Sequence, residues 1–193
     1  NVVYASLTSL NFSSSPPLSG WCSKDSFLYA LFISDCSDID DIIIIKDNGL
    51  MQVVKVDSKV FVGKGILHAA VFKKKDSRTI YNMIYLDGKS GYSMIKRFNV
   101  SSITRNKDYM LTRSNEGSKV LYLTANPNGE AEMVTAHLRK NQRLKILKID
   151  YDFADLTIKG KGSVGNILTK NNVKKIELKS VGVSTLSARK IWF

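Results

Sequence analysis

Cysteine is nearly absent: the 193-residue chain holds only Cys22 and Cys36, in one serine-rich region, with no C-x-x-C and no Cys/His metal spacing. That excludes a disulfide-stapled scaffold and a zinc module and suits two free thiols in a reducing cytosol. Long apolar runs are missing too. The longest, residues 27–33, is interrupted by Tyr29 and is soon followed by Asp35, far short of the ~20 residues a membrane span needs. No basic region precedes an apolar stretch at Asn1, so neither membrane insertion nor a signal peptide is expected. Helical periodicity longer than two turns is lacking as well, which leaves strands to build the core.

Acidic residues are scarce where basic ones are plentiful. The net charge is +12, and it is unevenly placed: residues 1–50 carry −4, residues 51–193 carry +16. A field of that sign suits a polyanion, nucleic acid or an anionic surface.

Four segments share one layout of apolar strand, polar turn and second strand. They are 41–56, turning at Asp47-Asn48-Gly49; 80–98, turning from Asp87-Gly88 to Gly91; 120–138, turning at Asn126-Pro127-Asn128-Gly129; and 164–178, turning at Asn171-Asn172. These turn residues tolerate positive φ or preset it, so each segment is expected to be a hairpin. The turns step by 39, 41 and 43 residues. A period near forty with β-branched strands predicts an all-β, propeller-like array of hairpin blades that must pack on one another to bury their apolar faces. An extra strand is expected over 145–153, where Ile149, Tyr151 and Phe153 alternate with Lys148, Asp150 and Asp152. Residues 1–34 differ: serine-rich, with Pro16-Pro17 and little charge, they read as a divergent N-terminal segment or a partial blade ahead of a domain at 35–193.

Catalytic motifs fail on context. Gly160-Lys161-Gly162-Ser163-Val164-Gly165 matches G-x-G-x-x-G, but a dinucleotide site needs a helix after it, and Asn166-Ile167-Leu168-Thr169 is β-prone and soon broken by Asn171-Asn172. The Walker pattern fails too, with Asn166-Ile167 where Lys and Ser/Thr belong. Ser93/Lys96 and Ser187/Lys190 match S-x-x-K, yet Ser93 is on an expected strand, where Lys96 points to the opposite face. His68 and His137 have no metal or nucleophile companions, and the Asp35, Asp38, Asp40, Asp41 cluster lacks the glycine and distal glutamate of a calcium loop. No catalytic residue, metal site or cofactor is expected.

The basic residues remain, and they fall in the connections between strands: Lys59, Lys64, Lys73, Lys74, Lys75, Arg78, Lys96, Arg97, Arg105, Arg139, Arg143, Lys145, Lys159, Lys161, Lys174 and Lys175. Repeated blade by blade, they would form a band that duplex phosphates could follow. The glycine turns at Gly63-Lys64-Gly65 and Gly160-Lys161-Gly162 would let backbone amides approach phosphate oxygens closely. The readings from other classes are a protein-binding propeller for an acidic partner, expected to show weak DNA affinity at moderate salt, and a nucleotide-dependent enzyme, expected to be stabilised by a dinucleotide.

The stretches DCSDIDDIIIIKDNGLMQVVKV, RTIYNMIYLDGKSGYSMIKRF, GSKVLYLTANPNGEAEMVTAHL and DFADLTIKGKGSVGNILTKNNVKKIELKSVGVSTLSARKIWF resemble the C-terminal domain of the A subunit of bacterial type IIA topoisomerases, the gyrase and topoisomerase IV family, nearest the topoisomerase IV type of Bacteroidetes-like bacteria. The resemblance runs from about residue 35 to residue 193. It implies a β-pinwheel that binds and bends duplex DNA on a basic rim, in the cytoplasm at the nucleoid. Its implied partners are the rest of the A subunit, plus the ATPase B subunit of an ATP-dependent isomerase. The Gln-Arg-Arg-Gly-Gly-Lys-Gly heptapeptide that gyrase uses for wrapping is absent, with Gly63-Lys64-Gly65 its nearest remnant, which counts against negative supercoiling. The DNA-cleaving tyrosine of the family belongs to a separate domain and matches no residue here.

Overall fold

The computed structural model describes residues 2–7, 29–35, 39–56, 64–113, 116–140 and 144–184, with the backbone alone for the two N-terminal strands. Those two, β1 (Val2–Leu7) and β2 (Tyr29–Asp35), pair antiparallel. Twelve more strands follow: β3 (Asp41–Lys46), β4 (Leu50–Lys55), β5 (Ile66–Phe72), β6 (Ile80–Leu86), β7 (Ser93–Asn99), β8 (Asp108–Met110), β9 (Lys119–Asn126), β10 (Glu130–Leu138), β11 (Lys148–Asp152), β12 (Lys159–Gly160), β13 (Asn166–Thr169) and β14 (Val173–Ser184). One 3-10 turn at Phe153–Asp155 is the only helical element among the described residues. The fold is all-β, an antiparallel, pinwheel-like array of sheets.

The sheets repeat one plan. Sheet one is ordered β5-β3-β4-β8, sheet two β9-β6-β7 with β13 and the short parallel β12 along the free side of β7, and sheet three β14-β10-β11. In each, two strands consecutive in the chain pair, and a strand reached later in the same repeat pairs back onto the first of them. The fourth strand is lent by the following repeat: β8, after the hairpin of sheet two, completes sheet one, and β13, after that of sheet three, completes sheet two.

This plan confirms two of the expected hairpins and corrects two. β3/β4 turns at 47–49, where Gly49 at φ 82° sits against the Thr112 side chain, and β6/β7 turns through 87–92. The reversal at Asn126-Pro127-Asn128-Gly129 is a real turn, closed by Gly129 N donating to Asn126 O at 3.0 Å, but it hands the chain from β9 in sheet two to β10 in sheet three. The Asn171-Asn172 reversal likewise joins β13 in sheet two to β14 in sheet three. β10 pairs instead with β11, across a long connection at 139–147. Turn chemistry fixes a local change of direction; it does not fix which strand lies alongside. The first central strands therefore start at 41, 80 and 130, and the spacing is less regular than the turns suggest. The strand expected over 145–153 is present as β11, with Ile149 and Tyr151 half-buried, and Phe153 continues the apolar series as the fully buried first residue of the 3-10 turn.

Sheet two is covered on both faces. Tyr81, Met83 and Tyr85 of β6 and Met94 and Phe98 of β7 pack on Ile43, Ile45, Met51 and Val53 of sheet one. The alternate residues Ile84 and Ile95 face Val134 of sheet three together with Phe153 and Leu156. Because successive side chains point to opposite sides, a strand sandwiched this way buries every position, and β7 is buried from Ser93 to Phe98.

A candidate nucleic-acid interface

That sandwich decides the fate of two expected contact residues. Lys96 and Arg97 are each 2% exposed, so neither can face a phosphate. Lys96 points into the junction of sheets one and two, where its ammonium donates to Leu111 O, Lys161 O and Ser163 O. Arg97 points into the junction of sheets two and three, where Nη2 donates to Gly129 O at 2.7 Å and Glu130 O at 3.3 Å. Across the strand pair from Arg97, Asn82 donates to Glu132, which also accepts from the hydroxyls of Tyr122 and Thr124. The two cations are fasteners between sheets. A Lys-Arg pair reads as surface in a sequence, and it is the burial of both faces of β7 that reverses the reading.

Lys59 and Arg143 lie outside the described residues, as do Ser187 and Lys190. The remaining candidates divide by place. At the end of sheets one and two where β5 passes into β6, Lys73, Lys74, Lys75 and Arg78 occupy the connection 73–79, and the segment 100–107 that follows β7 runs beside them. Contacts join the two: Lys75 N donates to Ser101 O at 3.3 Å, while Lys74 Nζ and Arg105 Nε reach the two oxygens of the buried Asp41 at 3.3 and 2.7 Å. From sheet two's lent segment, Lys161 Nζ donates to Ser102 O at 2.6 Å and lies 4.9 Å above the Tyr109 ring, and Lys159 pairs with Phe98 at the same end of β7. Lys107 stands 5.7 Å over that same ring. Three carboxylates belong to this group: Asp41, buried between Lys74 and Arg105; Asp76, half-buried in the 73–79 connection, where it accepts from Arg78 N and the Thr79 hydroxyl; and the exposed Asp108.

A second group, Arg139, Lys145, Lys174 and Lys175, lies at the opposite end of sheet three, where Arg139 N donates to Asn172 O at 2.8 Å and Lys175 pairs with Glu177 at 2.9 Å. Lys64 is exposed beside the first hairpin turn, held near it by Asp47 N donating to Gly65 O. The structure thus gathers residues 73–78, 105, 159 and 161 around the segment 100–109 and leaves the others apart. Lys107 and Tyr109 belong to the gathered group without any sequence signal: one precedes and the other lies within the three-residue strand β8, whose partner comes from another repeat. The Tyr109 hydroxyl accepts from Thr104 N at 2.9 Å, and hydrogen bonding to the Thr104 side chain and backbone holds its pKa below the ordinary tyrosine value.

The glycine-rich turn has two distinct parts. Gly160 and Gly162 have open space where a side chain would stand, which leaves the backbone accessible beside Lys161. Gly165 is different: at φ 90° it lies against β7, where a Cβ would collide with Ile95 O, and the Tyr85 hydroxyl donates to the neighbouring Val164 O at 2.7 Å. A strand, β13, follows the turn where a dinucleotide site would need a helix. Gly165→Ala is accordingly expected to cost roughly 1–3 kcal/mol of unfolding free energy, read by urea denaturation, whereas Gly162→Ala stays within about 0.5 kcal/mol.

Neither histidine is set up for chemistry. His68 packs edge-on against Tyr81 with ring centroids 5.8 Å apart, and burial lowers its pKa; His137 bonds Glu177 at 2.8 Å. Among the described residues no three acidic, histidine or cysteine side chains gather as metal ligands, and no helix is long and apolar enough to cross a membrane.

Comparison with known proteins bears on the same residues. The topoisomerase 4 protein of Borreliella burgdorferi that forms the A subunit of that enzyme is 25% identical over 149 residues, covering 77% of this chain and 22% of that protein. The chain thus spans about a fifth of the length of the relative it matches. The profile of the topoisomerase C-terminal domain of Bacteroidota matches residues 12–180, which takes in sheets one and two and sheet three as far as the middle of β14. The chain belongs to the family of topoisomerase C-terminal domains of Bacteroidota.

Proposed function

We propose that the chain is a non-catalytic module that binds and bends duplex DNA within the A subunit of a type II topoisomerase, with residues 35–193 carrying the contacts and residues 1–34 a divergent N-terminal segment or partial blade. The observation that supports this most is the gathering of Lys74, Lys75, Arg78, Arg105, Lys107, Lys159 and Lys161 about one segment, from connections far apart in the chain. Lysine and arginine on exposed connections meet phosphates and read no bases, so little sequence preference is expected. Bending follows if a duplex is to touch both this group and the cations of sheet three. The working partners are the rest of the A subunit, plus the ATPase B subunit, in the cytoplasm at the nucleoid.

An acidic protein is the second reading, and one feature favours it. Between β5 and β6 opens a cleft of about 640 Å³ whose lining includes Phe72, Val100 and Ala125, the cations Lys73 and Arg78, and one carboxylate, Asp76. The two readings part in one experiment: two labelled duplexes of unrelated sequence are titrated with the chain, and poly-glutamate is then added as competitor. Similar affinity for both duplexes, with poly-glutamate displacing them only in large excess, is the expected result. Tight poly-glutamate binding with weak duplex binding would favour the acidic partner.

A further inference from the structure

The ammonium of Lys96 is enclosed between two sheets, and a lysine shut away from water needs an acceptor for each of its three hydrogens. Three backbone carbonyls supply them. Leu111 O lies just past β8, the strand lent to sheet one; Lys161 O and Ser163 O, each 3.1 Å away, lie in the turn between β12 and β13, the segment lent to sheet two. The Phe98 ring closes the site 4.5 Å from Nζ. One buried cation therefore ties two lent segments together at the point where both leave the core. The turn it holds carries Lys161, whose own ammonium stands at the middle of the basic group, bonded to Ser102 O above Tyr109.

We propose that Lys96 is a positioning residue of the phosphate-binding surface: by binding Lys161 O and Ser163 O from inside, it fixes where Lys161 stands, and the charge on its ammonium tunes the affinity of a surface it never touches. This rests on reading the basic group as a phosphate surface.

Burial pushes the pKa of Lys96 down to about 7, so the proton is exchanged near neutrality. A neutral amine has two hydrogens for three carbonyls, and one strap of the turn is lost. Several groups face the site from the elements packed on it. Tyr85 of β6 has its hydroxyl held up to about 12 by burial, Tyr109 of β8 has its own lowered by Thr104, Arg113 lies just past Leu111, Asp155 of the 3-10 turn and Lys159 of β12 line the small cavity beside Lys96, and Lys107 and Lys161 stand outside. The sign is distinctive. With the folded value depressed, the unfolded chain holds the proton longer, so Lys96 makes the fold more stable as pH rises from about 7 toward the ordinary lysine value. Affinity for polyanion moves the other way over the same range.

The test uses the full chain, a random-sequence duplex and the variant Lys96→Met, with anisotropy at fixed salt from about pH 6.5 to about pH 8.5, and amide exchange across 159–165 without DNA. The parent is expected to lose roughly three- to tenfold in affinity over that range, while the variant stays near the parent's high-pH level throughout. Tyr109 is common to parent and variant, so it cannot by itself produce a difference between the two profiles. Exchange in the turn is expected to quicken about tenfold in the folded variant. Parallel pH profiles, or unchanged exchange in a folded variant, would overturn the proposal. Should the variant not fold, the parent decides alone: turn exchange that rises with pH no faster than intrinsic chemistry contradicts it. If the parent binds no duplex at any pH, the phosphate reading fails, and the exchange arm still judges the positioning role.

Discussion

Replacing Arg97 with methionine should lower the unfolding free energy by about 3 kcal/mol, the scale of leaving buried acceptors of a charged donor unsatisfied. Its guanidinium binds Gly129 O and Glu130 O at the point where the chain enters sheet three. Burial lowers its pKa, while Asp152 and Glu132 act to hold its charge. Methionine leaves two carbonyls short of a donor and the Glu132 carboxylate, already shared among Asn82, Tyr122 and Thr124, without a facing cation. Urea denaturation reads the change as a lower midpoint at constant slope. Arg78→Met, on the exposed 73–79 connection, is the comparison and should stay within about 0.5 kcal/mol. Equal stability of the Arg97 variant and the parent would mean that the polar network between sheets two and three contributes nothing net.

The second large effect concerns binding rather than folding. Changing Lys159 and Lys161 together to glutamate reverses two charges in the gathered group and leaves the strands of the core in place. Each phosphate contact removed should lower the slope of log affinity against log salt by about one, and repulsion adds to the loss. Duplex affinity at fixed salt should fall by roughly two orders of magnitude, with circular dichroism unchanged. The matched control changes Lys89 and Lys119, both exposed at the hairpin end of sheet two. It alters the net charge by the same amount about 20 Å away, the length of a seven-residue strand. A similar loss in both variants would mean that the duplex responds to overall charge and that the 100–109 group is no special path.

The sequence carried the strands of the four turn-linked segments and of β11, the all-β class and the turns at 47–49 and 87–91, because alternation and positive-φ residues are local signals; β5 and β8 were not among them. Partner choice was hidden. Asn126-Pro127-Asn128-Gly129 has all the chemistry of a hairpin turn, yet the strands it joins go to different sheets, since β9 finds its partner in β6 and β10 in β11 and β14. The lending of β8 and β13 to earlier sheets left no local mark, and with it went the reason that Lys107, Tyr109 and Lys161 meet. Lys96 and Arg97 were misread for the complementary reason: charge next to charge in a strand looks like surface unless both faces are known to be covered. Gly165 divides likewise. The glycine was visible, but that it serves the close approach to Ile95 rather than a ligand required the structure.

The central claim, that several exposed lysines and arginines hold duplex phosphates, is tested most directly by measuring duplex affinity across a series of salt concentrations. Neutralising several phosphates releases their counterions, so log affinity should fall linearly with log salt, losing orders of magnitude between roughly 50 and 200 mM, with the same slope for unrelated sequences. A flat response, or a slope that depends on the sequence, would contradict it.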